Sequence, residues 1–368
     1  MDKTDPFDKR QSQIVKGAAI LLMLWHHCFL PGRFDGFTIS FFPLTEGQAT
    51  LFAAFCKICV SLFAFVSGYG LYYSYRKWDL SHPGKSCSRW LWVRYVRTFS
   101  GYWLIVVLSW IIGGLIDGRP VAVYSTPSRV AGCVYMALDF FGLGQLFGIK
   151  LFVGEWWYMS AVIVFILSVP LLYHFMQRYG IVSCLLPVCL LPLMVTGYPG
   201  TMSPLTFLPS FYLGMSASHA DLFGRISGLF RSSGLQLLIA LVTLVMSAAC
   251  FIIDKRLPTK QFWLFKYGLF PIVYILCIYY VLAKIPILSS VLAFLGKHSA
   301  NIYFTHTVLL YLYCRSFIFG RGHFLLIMAT LLGLSLLVSF ALEGLKKLIR
   351  YDRFCAKLEA LSFSPAKQ

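Results

Sequence analysis

Long apolar runs separated by short basic segments are the feature that most limits how this chain can fold. We count about ten runs long enough for a helix to cross the hydrocarbon core of a bilayer, which is ~30 Å thick. Hydrophobic residues make up 58% of the chain and charged residues only 12%, whereas a soluble domain carries about 25% charged residues. The chain is therefore predicted to be an all-α, polytopic integral membrane protein that crosses the bilayer about ten times.

The distribution of cations predicts the orientation of these helices. The net charge is +18, but the cations lie in short segments between apolar runs, which argues against a nucleic-acid partner. With the N-terminus inside, roughly 21 of the 32 Lys and Arg residues fall on the cytoplasmic side. Both termini are then cytoplasmic. We predict a cytoplasmic leader (1–15), a membrane domain (16–345) and a basic cytoplasmic tail (346–368), with spans near 14–30, 51–75, 99–116, 155–175, 181–196, 204–218, 235–253, 263–282, 300–317 and 324–342.

The first apolar run carries ionisable residues that a packing helix would not need. Lys16 and His27 lie eleven residues apart, so on a helix they share a face and are separated by roughly 16 Å along the axis. His26 points about 100° away from that face. Ionisable groups inside a membrane helix indicate a functional site by default. The alternative is a lysine that snorkels to the interface and a histidine that packs.

Five stretches, in this order along the chain, resemble the membrane acyltransferase family 3. They are the basic residue and histidine at Lys16 and His27, a phenylalanine-rich Ser-Gly segment at 62–69, a basic helix entry at 94–103, a Trp-aromatic segment at 156–160 and a Gly-Lys-x-Ser…Tyr…His pattern at 296–306. Each stretch is weak by itself, but together they cover most of the chain.

The resemblance implies an O-acyltransferase in the plasma (inner) membrane of a bacterium. Such a protein moves an acyl group, with acetyl the expected one, from cytoplasmic acetyl-CoA or another acyl-CoA to a carbohydrate hydroxyl. The acceptor is expected to be a cell-surface polysaccharide, a lipid-linked glycan or an exported glycoside. The acyl-CoA is a substrate, so no permanently bound cofactor is implied. The oligomeric state, including a homo-oligomer, stays open.

His27 is the predicted catalytic residue. Acyl transfer to a hydroxyl needs a base that removes the hydroxyl proton, and a neutral imidazole does this near pH 7. The family implies the same role for His27. His26 is expected to pack or to form a hydrogen bond.

Lys16, Arg94 and Arg97 are the predicted donor-binding residues. Lys16 is too far along its helix to reach an oxyanion beside His27, but it can meet a phosphate of coenzyme A at the cytoplasmic mouth. Arg94 and Arg97 are helical neighbours if the third span has begun there. The alternative for this pair is ordinary positive-inside charge, which is how we interpret Arg76, Lys77, Lys85 and Arg89.

A polar stripe follows one face of the ninth predicted span. Ser299, Tyr303 and His306 lie at positions i, i+4 and i+7. Polar residues of a membrane helix should face the bundle interior. These side chains are predicted to line the acceptor route or to orient His27, and the alternative is packing through interhelical hydrogen bonds.

Glu155, Trp156, Trp157 and Tyr158 are the remaining acceptor candidates, at the predicted outer interface. Trp and Tyr rings stack on sugars, but they also form the interfacial belts of membrane proteins. Lys57 lies in the second predicted span and requires a counter-charge or water, for which Glu46 and Glu155 are candidates.

A secondary transporter or flippase for a glycan or a small anionic substrate is the rival interpretation, with Lys16, Lys57 and the histidines lining its path. It predicts substrate movement without thioester cleavage. No metal site is predicted, because the eight histidines do not form a ligand spacing with carboxylates or thiolates.

Overall fold

The computed structural model describes residues 7–125, 128–196, 203–230 and 232–361. Parts of the predicted leader and tail, together with Arg231, lie outside these ranges. Within them the backbone is helical, and the only bridge between extended segments joins Ser40 and His323. The α-helices are α1 (Lys9–Phe29), α2 (Glu46–Phe55), α3 (Cys59–Ser81), α4 (Ser88–Ile116), α5 (Arg119–Tyr124), α6 (Arg129–Phe140), α7 (Tyr158–Tyr179), α8 (Val182–Thr196), α9 (Leu208–His219), α10 (Leu222–Leu229), α11 (Ser233–Arg256), α12 (Thr259–Leu264), α13 (Phe270–Tyr280), α14 (Pro286–Lys297), α15 (Ser299–Thr307), α16 (Arg315–Phe319), α17 (Phe324–Leu348) and α18 (Tyr351–Ala360).

The chain divides into two compact units. The first contains residues 1–73, 185–199 and 206–336, and the second contains residues 74–184, 200–205 and 337–368. In the first unit α1 packs against α2, α14 and α15, and α11 packs against α13. In the second unit α4 packs against α5, α7 and α18.

Six helical stretches of the described chain are long and apolar enough to cross a membrane. They are Glu46–Ser81, Ser88–Ile116, Gly154–Tyr179, Ser233–Arg256, Gln261–Lys284 and Phe324–Leu348. The all-helical membrane class is therefore confirmed, while the number ten and the cytoplasmic termini stay predictions. The helix α4 begins eleven residues before the predicted third span. The basic segment that precedes the apolar run is itself helical and forms the first turns of α4.

Helices α1 and α14 pack through two glycines that face each other's backbone. A Cβ at Gly17 of α1 would overlap the Leu292 carbonyl of α14, and a Cβ at Gly296 of α14 would overlap the Gln13 carbonyl of α1. Small residues let membrane helices approach this closely. The sequence analysis did not predict α14 as a span, and its 12 residues rise only about 18 Å.

The predicted ninth span is interrupted. Helix α15 ends at Thr307, a π-helical turn covers Val308–Tyr313, and α16 begins at Arg315. The continuous helix predicted over 300–317 is therefore wrong. Apolar periodicity cannot reveal such a turn, since its side chains are as hydrophobic as those of a regular helix.

Helices α3 and α9 repeat the reciprocal glycine contact and supply a direct test of it. A Cβ at Gly68 of α3 would overlap the Phe211 carbonyl, and a Cβ at Gly214 of α9 would overlap the Phe65 carbonyl. Gly70, two residues along α3, has no atom within 4 Å of such a Cβ. Gly68 therefore lets α3 and α9 pack closely, whereas Gly70 takes no part in this contact.

We expect Gly68→Ala to lower the free energy of unfolding by about 1–3 kcal/mol, as overpacking does. Gly70→Ala is the matched control on the same helix, and it should leave stability unchanged or raise it by up to about 1 kcal/mol through helix propensity. Thermal unfolding of both purified variants in one detergent measures the difference. Equal midpoints would contradict the close contact.

Candidate active site

The C-terminal end of α1 carries two imidazoles with different surroundings. His26 is buried, and its Nδ1 lies 2.7 Å from the Ala53 carbonyl oxygen. A carbonyl can only accept, so Nδ1 carries the proton and donates. The expectation that His26 forms a hydrogen bond is confirmed. His27 is partly exposed.

His306 of α15 lies against His27. The two ring centroids are 5.0 Å apart. The His306 side chain is fully buried, and its Nδ1 lies 3.0 Å from the Ile302 carbonyl oxygen and 2.8 Å from that of Tyr303. Nδ1 therefore carries the proton, and Nε2 offers a lone pair.

The Nε2 atom of His306 is buried and has no hydrogen-bond partner among the described residues. Buried polar atoms nearly always find a partner, and an unpaired one calls for a specific explanation. An acceptor nitrogen beside a second imidazole can receive a proton or a hydroxyl hydrogen bond. The three residues of the predicted stripe, Ser299, Tyr303 and His306, all lie on α15. Of these, His306 supplies the buried acceptor nitrogen beside His27.

Tyr311 lies next to the same histidine pair and is not among the site residues predicted from the sequence. Its hydroxyl donates to the His27 carbonyl oxygen at 2.6 Å and lies 3.5 Å from His27 Nδ1. The Arg33 guanidinium lies over the Tyr311 ring, 4.7 Å from its centroid. Tyr311 belongs to the π-helical turn that follows α15, and such turns are frequent at functional sites.

Lys16 shares α1 with His27 but lies far from it. The helix is uninterrupted from Lys9 to Phe29, so eleven residues separate the two side chains by roughly 16 Å along the axis. Lys16 is partly buried. The predicted separation of this lysine from the histidine chemistry therefore holds.

The arginines Arg94 and Arg97 line a cavity of about 430 Å³ in the second unit, which we call the basic cavity. It lies where α3 ends and α4 begins. Arg94 donates to the Ser74 hydroxyl, and its guanidinium lies 5.7 Å from the centroid of the Trp90 ring. Two more cations and two indoles line the same cavity: Lys77, Arg89, Trp78 and Trp90.

Lys77 and Arg89, which the positive-inside pattern had marked as topology signals, both line this cavity. The signal that could have found Arg89 was its position eight residues before Arg97 on the same helix, since residues i and i+8 share one broad side of a helix. Lys77 comes from the preceding helix, so only the tertiary structure brings it to the others.

Glu359 of the tail helix α18 holds Arg97. Its Oε2 accepts from Arg97 Nε at 2.9 Å and from Nη2 at 2.7 Å. Helix α18 is fixed on α4 by two further hydrogen bonds, from Trp92 Nε1 to the Leu358 carbonyl at 2.7 Å and from the Tyr351 hydroxyl to the Ser100 carbonyl at 2.9 Å. The tail thus places a carboxylate at a residue of the basic cavity.

Trp156 and Trp157 are buried within the second unit. The Trp156 ring packs against Tyr102 and Phe152, with centroids 5.4 Å and 6.1 Å away. Buried indoles fit packing better than an interfacial belt or sugar stacking. Glu155 and Tyr158, on either side, are partly exposed.

The described residues contain no group of three or more His, Cys, Asp or Glu side chains that could hold a metal ion. The titratable groups that converge are instead the imidazoles of α1 and α15 in the first unit and the cations of α3 and α4 in the second. Such an arrangement can supply a base in one unit and bind an anion in the other.

The comparison with protein families gives one match. A family model described as "Acyltransferase domain", of the acyltransferase 3 type, matches residues 11–344. This range begins within α1 and continues into α17. Neither a search of curated proteins nor a search of solved structures gave a match.

Proposed function

The chain belongs to the acyltransferase 3 family and is a membrane acyltransferase; we propose that it moves an acyl group, acetyl in the simplest case, from acyl-CoA to a carbohydrate hydroxyl. The observation that carries the proposal is the contact between His27 and His306. The proposed location is a bacterial inner membrane, where a cytoplasmic donor and an exported acceptor can both be reached.

His27 is the proposed general base. Its nitrogen takes the proton of the acceptor hydroxyl while the oxygen attacks the thioester carbonyl, and collapse of the adduct expels the thiolate of coenzyme A. The imidazolium then returns its proton to the thiolate, so the ester and the free thiol are the products. His306 supports this cycle, because its Nε2 lone pair lies in a buried position beside the His27 ring and stabilises a proton there.

His26 is less suited than His27 to the base role because its ring is buried. Its Nδ1 donates to the Ala53 carbonyl, so its Nε2 is the acceptor nitrogen. His27 differs in being partly exposed and in lying beside both His306 and Tyr311. The Tyr311 hydroxyl fixes the backbone at His27 through its carbonyl and so holds the ring that must meet the acceptor.

The basic cavity is the proposed site for the phosphates of coenzyme A. Arginine binds phosphate through paired N–H donors, and four cations in one cavity match the several negative charges of that donor. The indoles of Trp78 and Trp90 add flat surfaces for a purine ring. In the predicted orientation the cavity is cytoplasmic, as a cytoplasmic donor requires.

Lys16 is the proposed contact for the donor on α1, at the cytoplasmic mouth of that helix. The distance of roughly 16 Å to His27 is then covered by the long pantetheine arm rather than by the protein. Ser299 and Tyr303 are proposed to line the acceptor route beside His306, and Glu155 and Tyr158 to contact the acceptor on the outer side.

We expect His27→Gln to lower kcat for acetyl transfer by about 10²–10⁴-fold, which is the contribution of a positioned base. Acetyl-CoA affinity should stay within about twofold, whereas Lys16→Ala should weaken it by about tenfold through loss of a charge-assisted hydrogen bond. Release of free thiol measures kcat, and equilibrium dialysis measures affinity.

His26→Gln is the matched control for the base, since it replaces the neighbouring imidazole with the same amide. It should leave kcat within about tenfold of the unaltered protein. Loss of acetyl-CoA binding in His27→Gln together with normal binding in Lys16→Ala would contradict the assignment. Substrate movement without any thiol release would favour a transporter.

We expect Glu359→Gln to raise the affinity for coenzyme A by up to about fivefold, because it removes a carboxylate that competes with phosphate for Arg97. The size follows from the 1 kcal/mol that an exposed ion pair contributes at most. Asp352→Asn removes the same charge from an exposed position on the same helix and should have no effect. In an Arg97→Gln background the Glu359 substitution should also lose its effect, and a gain that persists there would contradict the competition.

A further inference from the structure

A second cavity of about 420 Å³ lies at the opposite end of α4, among residues to which the proposed mechanism gives no role. Arg119 of α5 forms one side. Gln145, Lys150 and the backbone of Gly154 are also among its lining residues. It lies between the C-terminal end of α4 and the start of α7. We call it the outer cavity, because the predicted orientation of the chain places this segment on the outer side of the membrane.

The outer cavity is positively charged. Its lining contains two cations, Arg119 and Lys150, and no acidic residue. The Arg119 guanidinium lies over the Phe152 ring, 5.6 Å from the centroid. Its Nε is buried and has no hydrogen-bond partner among the described residues, so a donor of a permanently charged group is left unused at the cavity wall.

Among the described residues no carboxylate forms an ion pair with Arg119 or Lys150. Asp117 is exposed and accepts from the Arg119 backbone N–H at 3.1 Å, so its contact is with the main chain. Glu155 follows Gly154 in sequence but is not among the lining residues. Asp139 is buried and its oxygens are occupied by other donors.

Asp139 holds the frame of the outer cavity. Its carboxylate accepts from the Tyr124 hydroxyl at 2.6 Å, from the Phe152 backbone N–H at 2.7 Å and from the Tyr102 hydroxyl at 3.0 Å. Burial raises the pKa of this carboxyl, and these three donors oppose the shift. They join α4, α5 and the segment that carries Phe152, so the ring beneath Arg119 is fixed before any ligand arrives.

The length of α4 separates the two cavities. Its 29 residues rise about 43 Å, which is more than the ~30 Å hydrocarbon core. The basic cavity contains residues from the first turns of α4, and the outer cavity begins three residues after its end. A helix that spans the bilayer therefore places these two cationic cavities on opposite sides of the membrane.

We propose that the outer cavity binds the acidic group, a carboxylate or a phosphate, of a saccharide acceptor on the side opposite the donor. This inference rests on the proposed function, since it supplies the acceptor class of that reaction. Arginine forms paired hydrogen bonds with both groups, and the Gln145 amide and the Gly154 backbone offer neutral partners for sugar hydroxyls. The volume suits a small-molecule site.

Three hexoses that differ in charge test the proposal: glucuronate, glucose 1-phosphate and glucose. Their binding is measured by isothermal titration calorimetry on the full chain in phosphatidylcholine nanodiscs. We expect both acidic sugars to bind at least about tenfold more tightly than glucose, as charge-assisted hydrogen bonds require. The double variant Arg119→Gln, Lys150→Gln should abolish this preference. Arg129→Gln, which removes an exposed cation of α6 outside the cavity, should keep it.

Equal binding of glucose and glucuronate, or an unchanged preference in the double variant, would overturn the proposal. A lipid site would also overturn the proposal. In that case the unaltered chain would bind none of the three sugars, and the double variant would retain less phosphatidylglycerol than the unaltered chain. Coenzyme A is titrated into the same nanodiscs. If the double variant still binds coenzyme A, the chain is folded. If the unaltered chain does not bind coenzyme A, that result counts against the donor site and not against the outer cavity.

Discussion

The reciprocal glycine contact between α1 and α14 is the constraint on which the histidine site depends. Gly17 and Gly296 each meet the backbone of the other helix, so neither position accepts a Cβ without a shift. Because α15 starts two residues after α14 ends, the spacing of α1 and α14 also sets the spacing of α1 and α15. His27 and His306 can lie 5.0 Å apart only when the two glycines allow the backbones to touch.

Backbone carbonyls then determine which imidazole nitrogen can accept a hydrogen bond or a proton. His26 and His306 each direct Nδ1 to a carbonyl oxygen, which fixes the proton on that atom and leaves Nε2 as an acceptor. Both rings are buried, whereas His27 is partly exposed. The contacts that orient His26 and His306 come from main-chain carbonyls, and among the described residues no carboxylate is hydrogen-bonded to either ring.

Local sequence signals found the parts of this structure that lie on one helix. The spacing of Lys16 and His27, the stripe that ends at His306 and the pair Arg94 and Arg97 follow from helical periodicity alone, and α1, α4 and α15 carry them. Tyr311 was missed because a π-helical turn has no apolar signature. Glu359 was missed because it reaches Arg97 from 262 residues away in the chain, and no local pattern records such a contact.

The cations on the predicted outer side need a separate reason, since the positive-inside rule disfavours them. Arg33 lies over the Tyr311 ring, and Arg315 donates to the backbone carbonyls of Arg33 and Asp35, so both are used to hold the loops beside the histidine site. Among the described residues, the Phe152 ring lies under the Arg119 guanidinium while the Arg119 Nε has no hydrogen-bond partner, and Lys150 lines the same cavity. Two cations that converge on one cavity and leave a buried donor unused are best explained by an anion that completes the site. The basic cavity already contains an anion of this kind, the Glu359 carboxylate of the tail. It occupies Arg97, which would otherwise be open to a ligand.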